Sequence, residues 1–229
     1  FFLNHPQLNK QMFDYRNTSI HDYDDELLND YHDGINKGKA QLIIFHLLGQ
    51  HFQYSSRCKS GMKRFSIKDY TRSDLSDHAK QTIADYDNAT LYNDFVLSKI
   101  VERFCNKEAV VVYLSDHGED CYGKDVDMAG RLTEVENIDV KKYHEEFEIP
   151  FWIWCSPAYR QRHHKIFIET LKARNNRFMT DDLPHLLLYL AGISTKEYKA
   201  ERNVLSPRFN NRRPRLVLNS IDYDKALHQ

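Results

Sequence analysis

The chain has 229 residues, 41% of them hydrophobic and 13% aromatic, and a formal net charge of −1. That length can bury a sizeable core, and the composition excludes a disordered chain. The near-neutral charge excludes a global nucleic-acid footprint, and no apolar run approaches the roughly 20 residues of a membrane span.

Phe1 is not a natural start, so the chain is expected to be a piece of a longer one. Residues 1–20 show no period and are read as irregular. Residues 21–36 are expected to form a helix, because Asp22, Asp24, Asp25 and Glu26 crowd its first turns and Gly38 follows its end. Residues 41–48 (QLIIFHLL) read as a first buried strand, ending in the polar group Gly49-Gln50-His51. His46 sits inside this run, where a histidine is usually a satisfied core residue. Residues 52–76 form a long polar loop made basic by Arg57, Lys59, Lys63, Arg64 and Lys68. It is either a solvated surface or a lip that receives an anionic substrate.

Residues 77–104 are the clearest helix, with no Gly or Pro inside and Ala79, Ile83, Tyr86, Thr90, Leu97, Ile100 and Phe104 at helical spacing; Ser76 or Asp77 caps it. Strand, loop, helix and next strand make a crossover unit, which predicts a parallel sheet. Residues 120–148 are a long polar insertion of the kind that is usually functional or mobile. Residues 147–155 (FEIPFWIWC) give a third buried strand. A helix then opens at Ser156-Pro157 and runs to about Arg174. Thr180 is expected to cap another, with Gly192 as its stop, and residues 215–220 form a last edge strand. No repeat or linker interrupts the chain, so 1–229 is read as one α/β domain. The four cysteines show no zinc-finger spacing. Cys105 and Cys155 read as small core residues, and a Cys58–Cys121 disulfide stays open.

The stretch around which these elements are arranged is VVVYLSDHGE, from Val110 to Glu119. Its apolar run has the length and β-branching of a buried parallel strand. Ligands bind beyond the carboxyl ends of such strands. Adjacent Asp116 and His117 can there offer an oxygen and a nitrogen to one cation, and Gly118 is expected to keep the metal uncrowded. Taken alone, such a pair is more often a polar turn after a strand.

Taken together, IIFHLLGQH, IADYDNATLYNDFVLSKI, VVVYLSDHGED and TDDLPHLLLYLAGI resemble, in order, segments of the phosphoethanolamine transferases of the alkaline phosphatase and sulfatase superfamily. The resemblance implies a largely parallel sheet with helices on both faces, whose first strands are missing from this chain. It implies a zinc-activated threonine that takes phosphoethanolamine from a phospholipid and passes it, through a phospho-threonine, to lipid A or a glycan. By matching motifs, Asp116 and His117 ligate that zinc, while His51 and Glu119 bind substrate and His46 supports them. The threonine is expected outside the chain, and Thr18 is not nominated. Where the family has a further histidine this chain has Ala129-Gly130, which puts a second zinc in doubt; His144 is a candidate replacement. The whole protein is expected to be a bacterial inner-membrane enzyme with this part in the periplasm. A sulfatase or phosphatase on the same fold, and a non-catalytic binding or sensor domain, are the alternatives.

Overall fold

A computed structural model of the chain describes residues 15–17, 19–32, 40–132 and 138–228. The backbone divides into two compact units, Phe1–Ile100 and Val101–Gln229.

In the first unit, helix α1 spans Asp24–Asp30, with Asp24, Asp25 and Glu26 in its first turn and Leu28 buried. It is shorter than the acidic pattern predicts, because Tyr31 turns to extended backbone (φ −82°, ψ 124°); residues 33–36 lie outside the described residues. Helix α2 spans Asp77–Phe104, as its spacing predicts, and Ser76 caps it by accepting the Ala79 amide at 3.1 Å. Its buried face is rotated from the expected one. Ala84, Ala89, Tyr92 and Val96 are buried with Ala79, Ile100 and Phe104, whereas Thr90 is exposed. The small alanines let neighbouring chain come close, and Asn88 and Asn93 are buried beside them.

Residues 41–48 are extended but belong to no ladder. Leu42 is 74% exposed and Ile44 50%, while Ile43, Phe45 and Leu47 are half-buried. The expected buried strand is thus a half-buried extended segment, with His46 on its exposed side instead of its interior. An apolar run encodes β preference but not the partner that makes a ladder. The loop that follows carries short 3₁₀ turns at Tyr54–Ser56, Ser60–Met62 and Ile67–Asp69.

In the second unit, strand β1 (Val110–Leu114) pairs with β4 (Phe151–Cys155) in antiparallel register, Val112 opposite Ile153. The chain is α/β, but all strand pairs among the described residues are antiparallel, where the crossover argument called for a parallel neighbour. Runs such as VVVYL and FWIWC fit either direction. Among the described residues, the connection between them holds the short antiparallel pair β2 (Asp120–Cys121) and β3 (Ala129–Gly130) and a 3₁₀ turn at His144–Glu146.

Ser156 joins the two strand ends. Its hydroxyl accepts from the Ala109 and Tyr159 amides, each at 3.1 Å, and its own amide donates to the Ala109 carbonyl. It thereby caps helix α3 (Pro157–Arg162), whose first residue is proline. The single helix expected there breaks at His163, which leaves helical geometry (φ −116°, ψ 44°) and meets Glu108 at 2.7 Å; helix α4 follows over His164–Ala173. Thr180–Asp182 is a 3₁₀ turn without a threonine side-chain cap, ahead of α5 (Leu183–Leu190). Asp181 and Asp182 are bound instead by Arg202 and Arg213. Leu186, Val204 and Leu205 centre one core cluster against Val112, Phe151 and Ile153. A second gathers Ile138, Val140 and Tyr223, the last at the head of α6 (Tyr223–His228), after the hairpin β5 (Leu216–Val217) and β6 (Ile221–Asp222). All four cysteines are free, with Cys155 buried and Cys105 half-buried.

Candidate active site

Strand β1 ends at Leu114, and the next four residues form a tight polar turn. The Ser115 hydroxyl donates to the His117 carbonyl at 2.7 Å. Next to it, Nδ1 of His117 lies 2.8 Å from the Gly118 carbonyl. A carbonyl only accepts, so Nδ1 carries the proton and Nε2 keeps its lone pair in the neutral ring. Nε2 stands 3.7 Å from Oδ1 of Asp116, whose side chain is 80% exposed. Two ligands at ~2.0–2.1 Å from one tetrahedral cation lie roughly 3.3–3.5 Å apart, so this pair needs only a small rotation to close on a metal. The proton held at Nδ1 by a backbone carbonyl is the outer contact that ligating histidines use to fix their tautomer. Among the described residues, no group of three or more His, Cys, Asp or Glu converges on one point. The fit is therefore that of two donors to one cation.

Gly118 serves another purpose than the one expected. A Cβ there would lie 2.0 Å from the Glu145 carbonyl oxygen and 2.5 Å from that of Glu148. The glycine admits backbone, not metal, and its amide donates to the Glu146 carbonyl at 3.2 Å. The insertion thus backs the Asp-His turn directly. Glu119 is half-buried beside it.

Asp120 is 1% exposed, and neither of its carboxylate oxygens has a hydrogen-bond partner. Burial pushes its pKa up to about 6, with the charges of Glu145 and Glu146 adding to the rise and His144 opposing it. Nδ1 of His144 is buried and also lacks a partner. Ala129 lies on β3 opposite Cys121 and offers no side-chain donor.

In the first unit, His51 follows a turn closed by its own amide on the Leu48 carbonyl at 3.0 Å, with Gly49 at φ +53°. The ring is exposed, and its Nδ1 lies 3.4 Å from the Phe52 carbonyl. His46 is exposed on the preceding segment. The basic lip expected for an anionic substrate shrinks, because much of its positive charge is engaged. Arg57 holds the carbonyls of His51 and Phe52, Lys59 pairs with Asp25 at 2.6 Å, and Lys63 pairs with Asp85 at 3.6 Å, leaving Arg64 and Lys68 exposed. Sequence patterns missed the backbone contacts of Asp24, Arg57 and Asn88 around this loop; Asp24 read only as part of an acidic helix start and Arg57 only as part of a basic loop.

The family model described as Sulfatase matches residues 2–193, a span that runs through both units. Among curated proteins, phosphoethanolamine transferase EptC of Escherichia coli is 31% identical over 85% of this chain and 33% of its own length. Phosphoethanolamine transferase EptA of Helicobacter pylori is 32% identical over 66% of this chain and 29% of its own. The chain thus spans about a third of the length of the curated relatives it matches. The crystal structure of the C-terminal periplasmic domain of EcEptC from Escherichia coli, in complex with Zn, superposes with a TM-score of 0.71 at 28% identity, over 92% of this chain and 59% of that one. The soluble domain of lipooligosaccharide phosphoethanolamine transferase A from Neisseria meningitidis gives 0.63 at 25% identity, over 80% of this chain and 55% of that one. A strand that ends in an Asp-His pair, in an α/β chain that superposes on these domains over most of its length, is accounted for by common descent: the chain belongs to the sulfatase family, with phosphoethanolamine transferases among its relatives.

Proposed function

We propose that this chain is part of the catalytic domain of a zinc-dependent phosphoethanolamine transferase, which moves phosphoethanolamine from a phospholipid to lipid A or a glycan of the cell envelope. The observation that carries the reading is the Asp116–His117 pair, two donors 3.7 Å apart with the histidine tautomer fixed by the Gly118 carbonyl. The transferase names of the relatives and the Zn complex of EcEptC support the reaction class and the metal.

Asp116 and His117 would supply an oxygen and a nitrogen to the cation. A bound zinc supplies positive charge that offsets charge on the phosphoryl oxygens and lowers the pKa of an attacking hydroxyl. His117 needs no proton shift to serve, because its Nδ1–H is already committed to backbone. His51 would present an exposed imidazole to the phosphoryl group, Glu119 would offer a carboxylate to the amine, and His46, exposed on the segment before His51, would support that histidine. The covalent acceptor is proposed to be a threonine that these 229 residues do not supply. The bland identity of Ala129 argues for one zinc, not two. The working location is the periplasmic face of a bacterial inner membrane; among the described residues no helix is long and apolar enough to cross a membrane.

The test uses the full-length gene product and a labelled phosphatidylethanolamine, with the modified acceptor detected by mass spectrometry. Asp116→Ala is expected to slow transfer by at least about a hundredfold, as loss of a metal ligand does. Equal turnover by the two proteins would overturn the metal mechanism. Release of free phosphoethanolamine with no acceptor modified would replace transfer by hydrolysis.

A further inference from the structure

The turn that carries His51 is gripped from both sides by charged groups, one of them 24 and 25 residues away in sequence and the other in the loop that follows. On its amino side, the carboxylate of Asp24 accepts two consecutive backbone N–H groups, from Leu48 at 2.9 Å and Gly49 at 2.7 Å. Successive amides pointing at one anion form a concave nest, and a left-handed residue such as Gly49 makes that geometry possible. On its carboxyl side, the guanidinium of Arg57 donates Nε–H to the His51 carbonyl and an NH2 to the Phe52 carbonyl, each at 3.2 Å. The same Phe52 carbonyl lies 3.4 Å from the His51 ring nitrogen Nδ1. Asp24 is itself anchored. The next residue, Asp25, accepts from the Tyr92 hydroxyl of α2 and from Lys59, both at 2.6 Å. The Tyr23 ring packs edge-on against Tyr92, and the Lys59 ammonium lies over Tyr23.

We infer that Asp24 and Arg57 are positioning residues for His51, one fixing the backbone that enters it and the other the backbone that leaves it. The inference rests on the role given to His51 under the proposed function. A turn left to itself samples many backbone states, and an exposed imidazole on it would sweep a wide arc. Charge-assisted bonds on both flanks, about twice as strong as neutral ones, hold the backbone from which the ring projects and so narrow the arc it can reach. Near-attack geometry tolerates little error, and a displacement of ~1 Å costs about a hundredfold in rate.

A double-mutant cycle in the full-length gene product separates positioning from mere folding support, with kcat and KM on labelled phosphatidylethanolamine as readout. Asp24→Asn is expected to lower kcat/KM by about 10- to 100-fold. In a His51→Ala background the same change is expected to cost less than about twofold, since there is no imidazole left to aim. Full activity of Asp24→Asn, or additive losses in the double variant, overturns the inference. Should Asp24→Asn fail to fold by circular dichroism, Arg57→Gln, which leaves the Asp24 bonds in place, carries the same cycle. The ring resonances of His51 in a carbon–proton spectrum give a second readout, independent of turnover. They are expected to shift and broaden in Asp24→Asn, and an unchanged spectrum overturns the clamp. A fully active His51→Ala alongside a shifted spectrum overturns only the catalytic role of His51.

Discussion

A single methyl group at Gly118 would displace the backbone of residues 145–148. The Cβ of an alanine would sit 2.0 Å from one backbone oxygen and 2.5 Å from another, and neither can rotate away as a side chain does. Gly118→Ala is expected to destabilise the chain by roughly 1–3 kcal/mol, the range of an overpacked core, and to lower transfer with it; denaturant midpoints and turnover check both. Two positions on, Asp120 makes a prediction about pH. Its folded carboxyl titrates near 6 against an ordinary 3.8, so the folded chain holds this proton more tightly than the unfolded one. The stability that the neutral form contributes is complete below about pH 4, falls as pH rises towards 6, and is gone above it. Asp120→Asn removes that slope. It is expected to raise the thermal midpoint near pH 8, where the wild type buries an unpaired charge, and to leave it unchanged near pH 4. A gain equal at both values would show that charge is not the cause.

At the scale of elements, α2 acts as a scaffold that dictates the loop beside it. The buried side chain of Asn88 accepts the Arg64 and Phe65 amides at 2.6 and 2.9 Å and returns a bond to the Phe65 carbonyl at 2.9 Å. Four residues on, Tyr92 reaches Asp25, and just before Asn88 the Asp87 carboxylate takes the Tyr70 hydroxyl at 2.6 Å. Asn88→Ala strands the two amides and is expected to cost roughly 1–3 kcal/mol. Hydrogen exchange should quicken at Arg64 and Phe65 while the middle of α2 stays protected; uniform loss along α2 would mean that the helix, not the loop, depends on Asn88. The bounds of α2 were legible because twenty-eight residues without Gly or Pro leave few alternatives. The turn after β1 was legible because an apolar run stops abruptly at polar residues. Strand direction was not, since VVVYL pairs equally well either way. Nor was the break at His163, which depends on Glu108, a partner 55 residues earlier. Asp24, likewise, looked like a charge placed for the helix dipole, and its partners 24 and 25 residues on leave no local signal.

At the scale of the whole molecule, the proposed zinc chemistry needs more donors than the described residues bring together, and this sets the last prediction. Zinc sites with a full ligand set bind with about 10–16 kcal/mol. Two donors of an ordinary four supply on the order of half of that, which corresponds to dissociation constants from roughly 0.1 mM to 1 μM. As proposed ligands, Asp116 and His117 would be such a half-set, with Nε2 of the imidazole left unprotonated by the Nδ1 contact to the Gly118 carbonyl. The purified 229-residue chain is therefore expected to lose zinc on dialysis against a chelator, whereas the full-length gene product keeps one per molecule. With the nucleophile proposed to lie outside it, the chain alone is also expected to be inactive on phosphatidylethanolamine analogues and on aryl phosphates and sulfates. Adding excess zinc to the chain should not restore turnover, because the electrophile without the attacking group does no chemistry. Zinc retained one to one by the isolated chain would show that further donors come together within it. Turnover by that chain would go further and place a nucleophile inside these 229 residues, and Asp116→Ala would then tell whether the activity passes through the same Asp-His pair.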